Sequence, residues 1–258
     1  MNRIARLFEC KNHNILSVFF TAGFPHLDST VPIIKELAKA GVDMVEIGVP
    51  FSDPMADGLV IQESSTKALK NGISVATICD QVREAREAVS EMPFIMMGYI
   101  NPILQYGIEN FFRDFKEAGA DGVIIPDLPF EEYLRSFKSL SDKYDMPVIM
   151  LITPETSEAR IHLIDDNCNG FIYMVSSAST TGTRTKFSEK QTDYFNHINS
   201  MDLKHPRLIG FGISNASTLR NVLDNAAGAI VGSLFIKCLQ SEPTIHSAVA
   251  KLRESLSS

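Results

Sequence analysis

Two acidic residues eleven positions apart, Glu46 and Asp57, are the side chains best suited to chemistry in this sequence. In Val42-Asp-Met-Val-Glu-Ile-Gly48, strand alternation puts Met44, Glu46 and Gly48 on one face and Val45 and Ile47 on the other. The branched pair suits a face covered by helices, so Glu46 is expected to point into the interior. A carboxyl withdrawn from water there has a raised pKa, which suits it to passing protons near neutrality. The loop Pro50-Phe-Ser-Asp-Pro-Met-Ala-Asp-Gly58 adds Asp53 and Asp57, on a backbone that two prolines restrict. A purely structural reading would tie Glu46 to a serine or tyrosine hydroxyl and let Asp57 cap the next helix. The expense of burying an acid favours chemistry.

A second group of residues suits a phosphate. Gly210-Phe-Gly-Ile-Ser214 and Gly232-Ser233 each end a strand-like run and precede a helical one. Glycine lets backbone N–H groups come close to an anion, and a helix N-terminus adds partial positive charge. The first turn lacks the third glycine of a dinucleotide fingerprint, so a monophosphate ester fits better. Ser176–Lys186 is small and polar around Gly182, as a lid would be, with Thr181, Thr183 and Arg184 able to meet an anion. Tyr99-Ile-Asn-Pro-Ile-Leu-Gln-Tyr106 is unusually apolar for a connection. Ile100, Ile103 and Leu104 are expected either to fold back as a local helix or to form a docking patch.

These residues need a scaffold, and the apolar runs supply its period. Short, nearly continuous β-rich segments recur at Ile15–Phe20, Met44–Ile47, Phe94–Met97, Gly122–Ile125, Val148–Ile152, Phe171–Val175, Leu208–Phe211 and Ala229–Val231. Parallel strands covered on both faces read this way. Amphipathic stretches lie between them: Ile33, Ile34, Leu37 and Ala38 share one face, as do Leu219, Val222, Leu223 and Ala226. Ser29 and Asn215 are expected to cap helices, and Gly41, Gly119 and Gly228 to turn the chain out of them. Eight strand–helix units in 258 residues make an α/β fold, a (β/α)8 TIM barrel, rather than a doubly wound open sheet. The stretch through Cys10 predicts an extra N-terminal helix across the barrel's N-terminal mouth. With no linker or break in composition, residues 1–258 read as a single barrel domain.

Composition excludes other classes. The chain is 45% hydrophobic and 21% charged, an ordinary globular balance, and its net charge of -7 argues against a nucleic-acid-binding surface. No apolar run approaches a bilayer span, and the first residues do not read as a signal sequence, so the expected location is cytoplasmic. Cys10, Cys79, Cys168 and Cys238 form no Cys-x-x-Cys pair and the six histidines no cluster, so no metal is predicted.

The string Glu46-Ile-Gly-Val-Pro-Phe-Ser-Asp-Pro-Met-Ala-Asp-Gly58 closely resembles the signature of the tryptophan synthase alpha-chain family. The resemblance runs, in the family's order, through Phe20-Thr-Ala-Gly-Phe-Pro25, Tyr99-Ile-Asn-Pro102, Pro126-Asp-Leu-Pro129, Thr181-Gly182, Gly210–Ser214 and Gly232-Ser233. It implies a lyase that cleaves indole-3-glycerol phosphate to indole and glyceraldehyde 3-phosphate by a retro-aldol reaction. It further implies that Glu46 moves the protons, Asp57 takes the indole N–H, and Tyr173 assists beside the acid. Phe20 and Phe211 would pack on the indole ring, and Thr181 would belong to the lid. Gly182, Gly212, Gly232 and Ser233 would hold the phosphate. No cofactor is implied in this chain, because pyridoxal phosphate belongs to the implied partner, the beta chain, in an αββα heterotetramer. Pro50–Gly58 and Tyr99–Tyr106 would be the contact surfaces.

Leu59, Ser179, Thr180 and Val231 depart from the family's usual proline, Gly-Val and serine. Aminoaldose isomerases, which resemble this pattern in their phosphate turns, carry paired acids where Thr21-Ala22 and Thr153-Pro154 stand here. A weakly catalytic or non-catalytic activating subunit is the remaining alternative, against which Glu46 and Asp57 both argue.

Overall fold

The computed structural model describes residues 2–176 and 188–257. Among the described residues there are nine parallel strands: β1 (Ile15–Thr21), β2 (Met44–Gly48), β3 (Phe94–Met97), β4 (Gly122–Ile124), β5 (Val148–Ile149), β6 (Leu151–Ile152), β7 (Ile172–Val175), β8 (Arg207–Gly210) and β9 (Gly228–Val231). Their hydrogen-bonded order is β5-β4-β3-β2-β1-β9-β8-β7-β6. Only Met150 separates β5 from β6, so the two ends of the sheet are consecutive pieces of one segment and the barrel closes there. The expected fifth strand, Val148–Ile152, is thus split in two. Its first half pairs with β4 and its second with β7, and the change of partner falls at Met150.

Period-two alternation sorts the strand residues into two layers. Ile15, Met44, Ile95, Ile124, Ile149, Tyr173, Leu208 and Ile230 fill the barrel interior. Val18, Val45, Ile47, Met96, Ile172, Ile209 and Val231 pack outward against the helices. Ile33, Ile34 and Leu37 of the helix Thr30–Lys39 are buried in that outer layer, as is Val222 of the helix Ala216–Leu223. Tyr99–Tyr106 takes the first of its two expected forms. It forms a helix over Ile100–Tyr106 that buries Ile103 and leaves Leu104 49% exposed.

Local chemistry at the element ends differs from expectation in two places. Asn215 caps its helix by accepting from the Thr218 N–H, but Ser29 accepts from His26 N–H in the preceding turn and caps nothing. Gly41 and Gly119 take left-handed φ values of 75° and 100°. Gly228 instead opens β9, where a Cβ would stand 2.3 Å from the Ile15 carbonyl oxygen. Its glycine is required for the close approach of β1, not for a turn.

The N-terminal helix, Arg3–Cys10, lies where the sequence places it. Asn2 caps it, and the Asn2 side-chain amide also donates to the carbonyls of Asp121 and Asp145. Arg3 and Arg86 both reach the buried Asp121 carboxylate, at 3.0 and 2.9 Å. Ile4 is fully buried against the interior cluster, and the bare backbone of Gly122 makes room for it: a Cβ there would lie 3.0 Å from Ile4 Cδ1. Because Ile4 closes the N-terminal end and chemistry belongs to the other, Ile4→Ala is expected to cost roughly 2–4 kcal/mol in urea unfolding. The catalytic rate of the folded fraction should stay unchanged.

Candidate active site

Every strand runs the same way, so all the strand C-termini share one rim, which carries the function in barrels of this kind. Glu46 stands on β2 facing inward, in register with Phe19 of β1 and Ile95 of β3. It is fully buried. Its Oε1 accepts a hydrogen bond from the Ser17 hydroxyl at 3.0 Å, while Oε2 has no partner among the described residues. Burial pushes the Glu46 pKa up to about 8, against the smaller opposing pull of Ser17. A carboxyl so placed keeps its proton at neutral pH and can deliver it.

Asp57 lies on the loop after β2 and lines the open cleft there, whereas Glu46 is buried beneath it and is not among the cleft's lining residues. Its Oδ2 accepts from the Tyr99 hydroxyl at 3.0 Å, and that hydroxyl oxygen in turn accepts from Ala56 N–H at 2.9 Å. Gln62 fixes the Asp57 carbonyl at 2.7 Å. Burial raises the Asp57 pKa and the Tyr99 hydrogen bond opposes the rise. Asp57 does not cap the following helix, where Gly58 stands at the cap position. Asp53 is exposed, with the Ser52 hydroxyl as its hydrogen-bond donor.

Tyr173 projects from β7 into the interior, and its hydroxyl oxygen would stand 2.1 Å from a Cβ at Gly210. Gly210 therefore has to be glycine for the phenol to lie across β8. Burial, with Glu46 and Asp57 nearby, raises the Tyr173 pKa well above its usual value, so the phenol stays neutral. Phe211, at a φ of 70°, sets its ring edge-on to Tyr173 with centroids 6.3 Å apart. Gly212 follows at a φ of 78°. Gly232 precedes the helix Ser233–Ser241, whose first turn has N–H groups with no intrahelical acceptor; Ser233 is exposed. A Cβ on Gly232 would lie 3.4 Å from the Phe19 ring, which ties this turn to β1.

Phe20 is the residue that the structure places elsewhere. Its side chain is fully buried in the outer layer, between strands and helices. Ser17, Phe19 and Thr21 share the inward face of β1, and Phe19 lines a solvent-open cleft with Thr21, Gly48, Asp57, Met97 and Tyr99. Of the two adjacent phenylalanines, Phe19 is the one at the mouth. Alternation counted from the polar Ser17 and Thr21 could have found it. Thr181 and Gly182, with the rest of the expected lid from residue 177 on, lie outside the described residues. Among the described residues, no group of three His, Cys, Asp or Glu could hold a metal ion.

A family model described as tryptophan synthase alpha chain matches residues 6–257. The chain belongs to the tryptophan synthase alpha-chain family. It is 54% identical over 256 residues to the tryptophan synthase alpha chain of Parabacteroides distasonis, covering 99% of each chain. It is 50% identical to that of Bacteroides fragilis, covering 99% of this chain and 97% of the relative. The crystal structure of the Legionella pneumophila alpha chain superposes with a TM-score of 0.88 at 32% identity, covering 99% of this chain and 96% of that one. A tryptophan synthase from M. tuberculosis in an aminoacrylate-bound form superposes with a TM-score of 0.85 at 25% identity, covering 99% and 98%. As a tryptophan synthase alpha chain it is a carbon–carbon lyase of tryptophan biosynthesis that cleaves indole-3-glycerol phosphate.

Two departures from the alpha-chain pattern now have places. Leu59 starts the helix after Gly58 and is 72% exposed, and Val231 is buried in the outer layer rather than at the mouth. Two hydroxyls went unread in the sequence: that of Tyr99, which holds Asp57, and that of Ser17, which holds Glu46.

The Glu46 titration has a consequence for stability. An unfolded chain releases this proton near pH 4.5 and the native one near pH 8, so native stability falls as pH rises through that window. Glu46→Gln removes the penalty. The variant is expected to resist urea better by roughly 3 kcal/mol at pH 7, with the advantage fading below about pH 5. Parallel denaturation curves at the two pH values check it.

Proposed function

We propose that Glu46 is the acid and base of the retro-aldol cleavage, that Asp57 is its electrostatic partner at the indole nitrogen, and that the glycine turns after β8 and β9 hold the phosphate. The observation that carries this reading is the fully buried Glu46 carboxyl, raised to about 8, with one oxygen unpartnered. Glu46 gives its proton to indole C3, and the ring becomes an indoleninium cation. Asp57 accepts the hydrogen bond of that cation's N–H and stabilises its charge. The neighbouring side-chain hydroxyl then loses its proton to the Glu46 carboxylate. The C3–carbon bond breaks, its electron pair restores the indole ring, and the hydroxyl carbon leaves as the aldehyde of glyceraldehyde 3-phosphate. Neutral Tyr173 stands beside the acid as a hydroxyl that does not compete for its charge.

Phe19 and Phe211 offer faces for the indole ring, Phe19 taking the place expected of Phe20. Backbone N–H groups at Gly212, Gly232 and Ser233, the Ser233 hydroxyl and the N-terminus of the helix Ser233–Ser241 suit a phosphate dianion. Thr181 and Gly182 would close over the ester from the lid. The whole chain works as one barrel unit. Its partner is the beta chain of tryptophan synthase, assembled as αββα, and pyridoxal phosphate is that partner's cofactor. Met55, 86% exposed, Leu59 and Leu104 give the mouth an apolar rim suited to the contact. We place the protein in the cytoplasm, in keeping with biosynthesis of a soluble amino acid; no described helix is long and apolar enough to cross a membrane.

Glu46→Gln should reduce indole release by at least about 10²-fold while leaving glycerol 3-phosphate affinity unchanged, and full activity in that variant would refute the acid–base role. Gly212→Val, which forces a branched residue to a φ of 78°, should chiefly weaken glycerol 3-phosphate and substrate binding. Equilibrium titration of the variant with glycerol 3-phosphate checks it, and unaltered affinity would remove that turn from the phosphate site.

A further inference from the structure

We propose that Ser17 is a positioning residue for the cleavage, whose hydroxyl, donated to Glu46 Oε1, leaves the acid's proton on Oε2, the oxygen without a partner among the described residues. This inference rests on Glu46 being the acid. Ser17 is a fully buried polar residue on the inward face of β1, between the apolar Ile15 and Phe19. Its register partners are Met44 on β2 and Ile230 on β9, so neither adjacent strand offers a charged or polar side chain opposite it. Among the described residues, its side chain makes one hydrogen bond, to Glu46 Oε1.

A neutral carboxyl has two oxygens and one proton. An O–H donated into Oε1 makes that oxygen the acceptor and favours the proton on the other. Oε2, buried and unpartnered, is then a donor with nothing among the described residues to receive it. The same contact stops the carboxyl from turning, which holds the donor in one place before substrate arrives. The titratable groups that share Glu46's surroundings are Tyr173 on β7 and Asp57 on the loop after β2. Tyr173 stays neutral, so a change of slope near pH 8 belongs to Glu46.

The test compares Ser17→Ala and Ser17→Thr with the wild-type full-length chain, following indole release from about pH 6 to 10. Glycerol 3-phosphate affinity and the thermal midpoint are measured alongside. Loss of the donor disfavours the ionised acid, so Ser17→Ala should move the alkaline limb of kcat/KM upward by about one pH unit. Its kcat should fall about ten-fold, with ligand affinity and thermal midpoint held. Ser17→Thr, which keeps a hydroxyl, should restore both limb and rate. An alkaline limb that stays put in Ser17→Ala would overturn the proposal, as would a loss confined to KM. Glu46→Gln run beside them separates the two readings. If it is inactive while Ser17→Ala behaves as wild type, only the role of Ser17 falls. If Glu46→Gln is active, the acid–base assignment falls and takes the Ser17 proposal with it.

Discussion

The site depends on a carboxyl group kept out of water with no cation beside it. Among the described residues nothing positively charged contributes to the Glu46 titration; burial raises it and a single neutral hydroxyl opposes. Removing an acid from water is costly, and the chain meets the cost with two apolar layers that alternation builds from the same strands. Ile4, Ile15, Met44, Ile95 and Ile124 belong to the interior packing, and Ile4 closes the far end.

The two carboxyls get their different environments from different kinds of backbone. Glu46 sits on a strand with hydrogen-bonded neighbours on both sides, so its surroundings are set by the barrel. Asp57 sits on a loop, and its place is set by Tyr99. The Tyr99 hydroxyl ties Ala56 and Asp57, its ring lies 5.4 Å from that of Phe51, and its backbone leads into the helix that exposes Leu104. Displacing that helix would therefore move the hydrogen-bond donor of Asp57, whereas Glu46 would feel it only through the barrel wall.

Much of this was legible in the sequence, because it follows from periodicity. The strand segments, the inward turn of Glu46, the outward turn of Val45 and Ile47 and the N-terminal helix all come from counting residues. The failures share another cause. Phe20 and Phe19 are adjacent, equally apolar and both buried, so residue type does not separate them and only alternation with Ser17 and Thr21 tells the face of each. Gly228 reads like Gly41 and Gly119 because all three precede apolar runs, yet its reason is the backbone of β1 at 2.3 Å, a contact far away in sequence. Ser29 has the right type for a cap, but the turn before it took the hydroxyl. The hydroxyls of Ser17 and Tyr99 matter for what lies on the neighbouring strand or loop, tens of residues away in sequence, which no local pattern carries.

The way the phosphate is held follows from the way the acid is held. A lysine or arginine at the mouth would bind a phosphate ester strongly, but a cation that close would also favour the ionised form of Glu46 and draw its pKa back down. On the proposed reading, backbone N–H groups and a helix N-terminus would bind the dianion with dipoles, whose field falls off within a turn. Glycines at 212 and 232 would let the backbone do this in place of a side chain. The proposed phosphate site and the raised titration of Glu46 are thus electrostatically compatible: a dianion held by dipoles at one end would leave the acid at the other protonated.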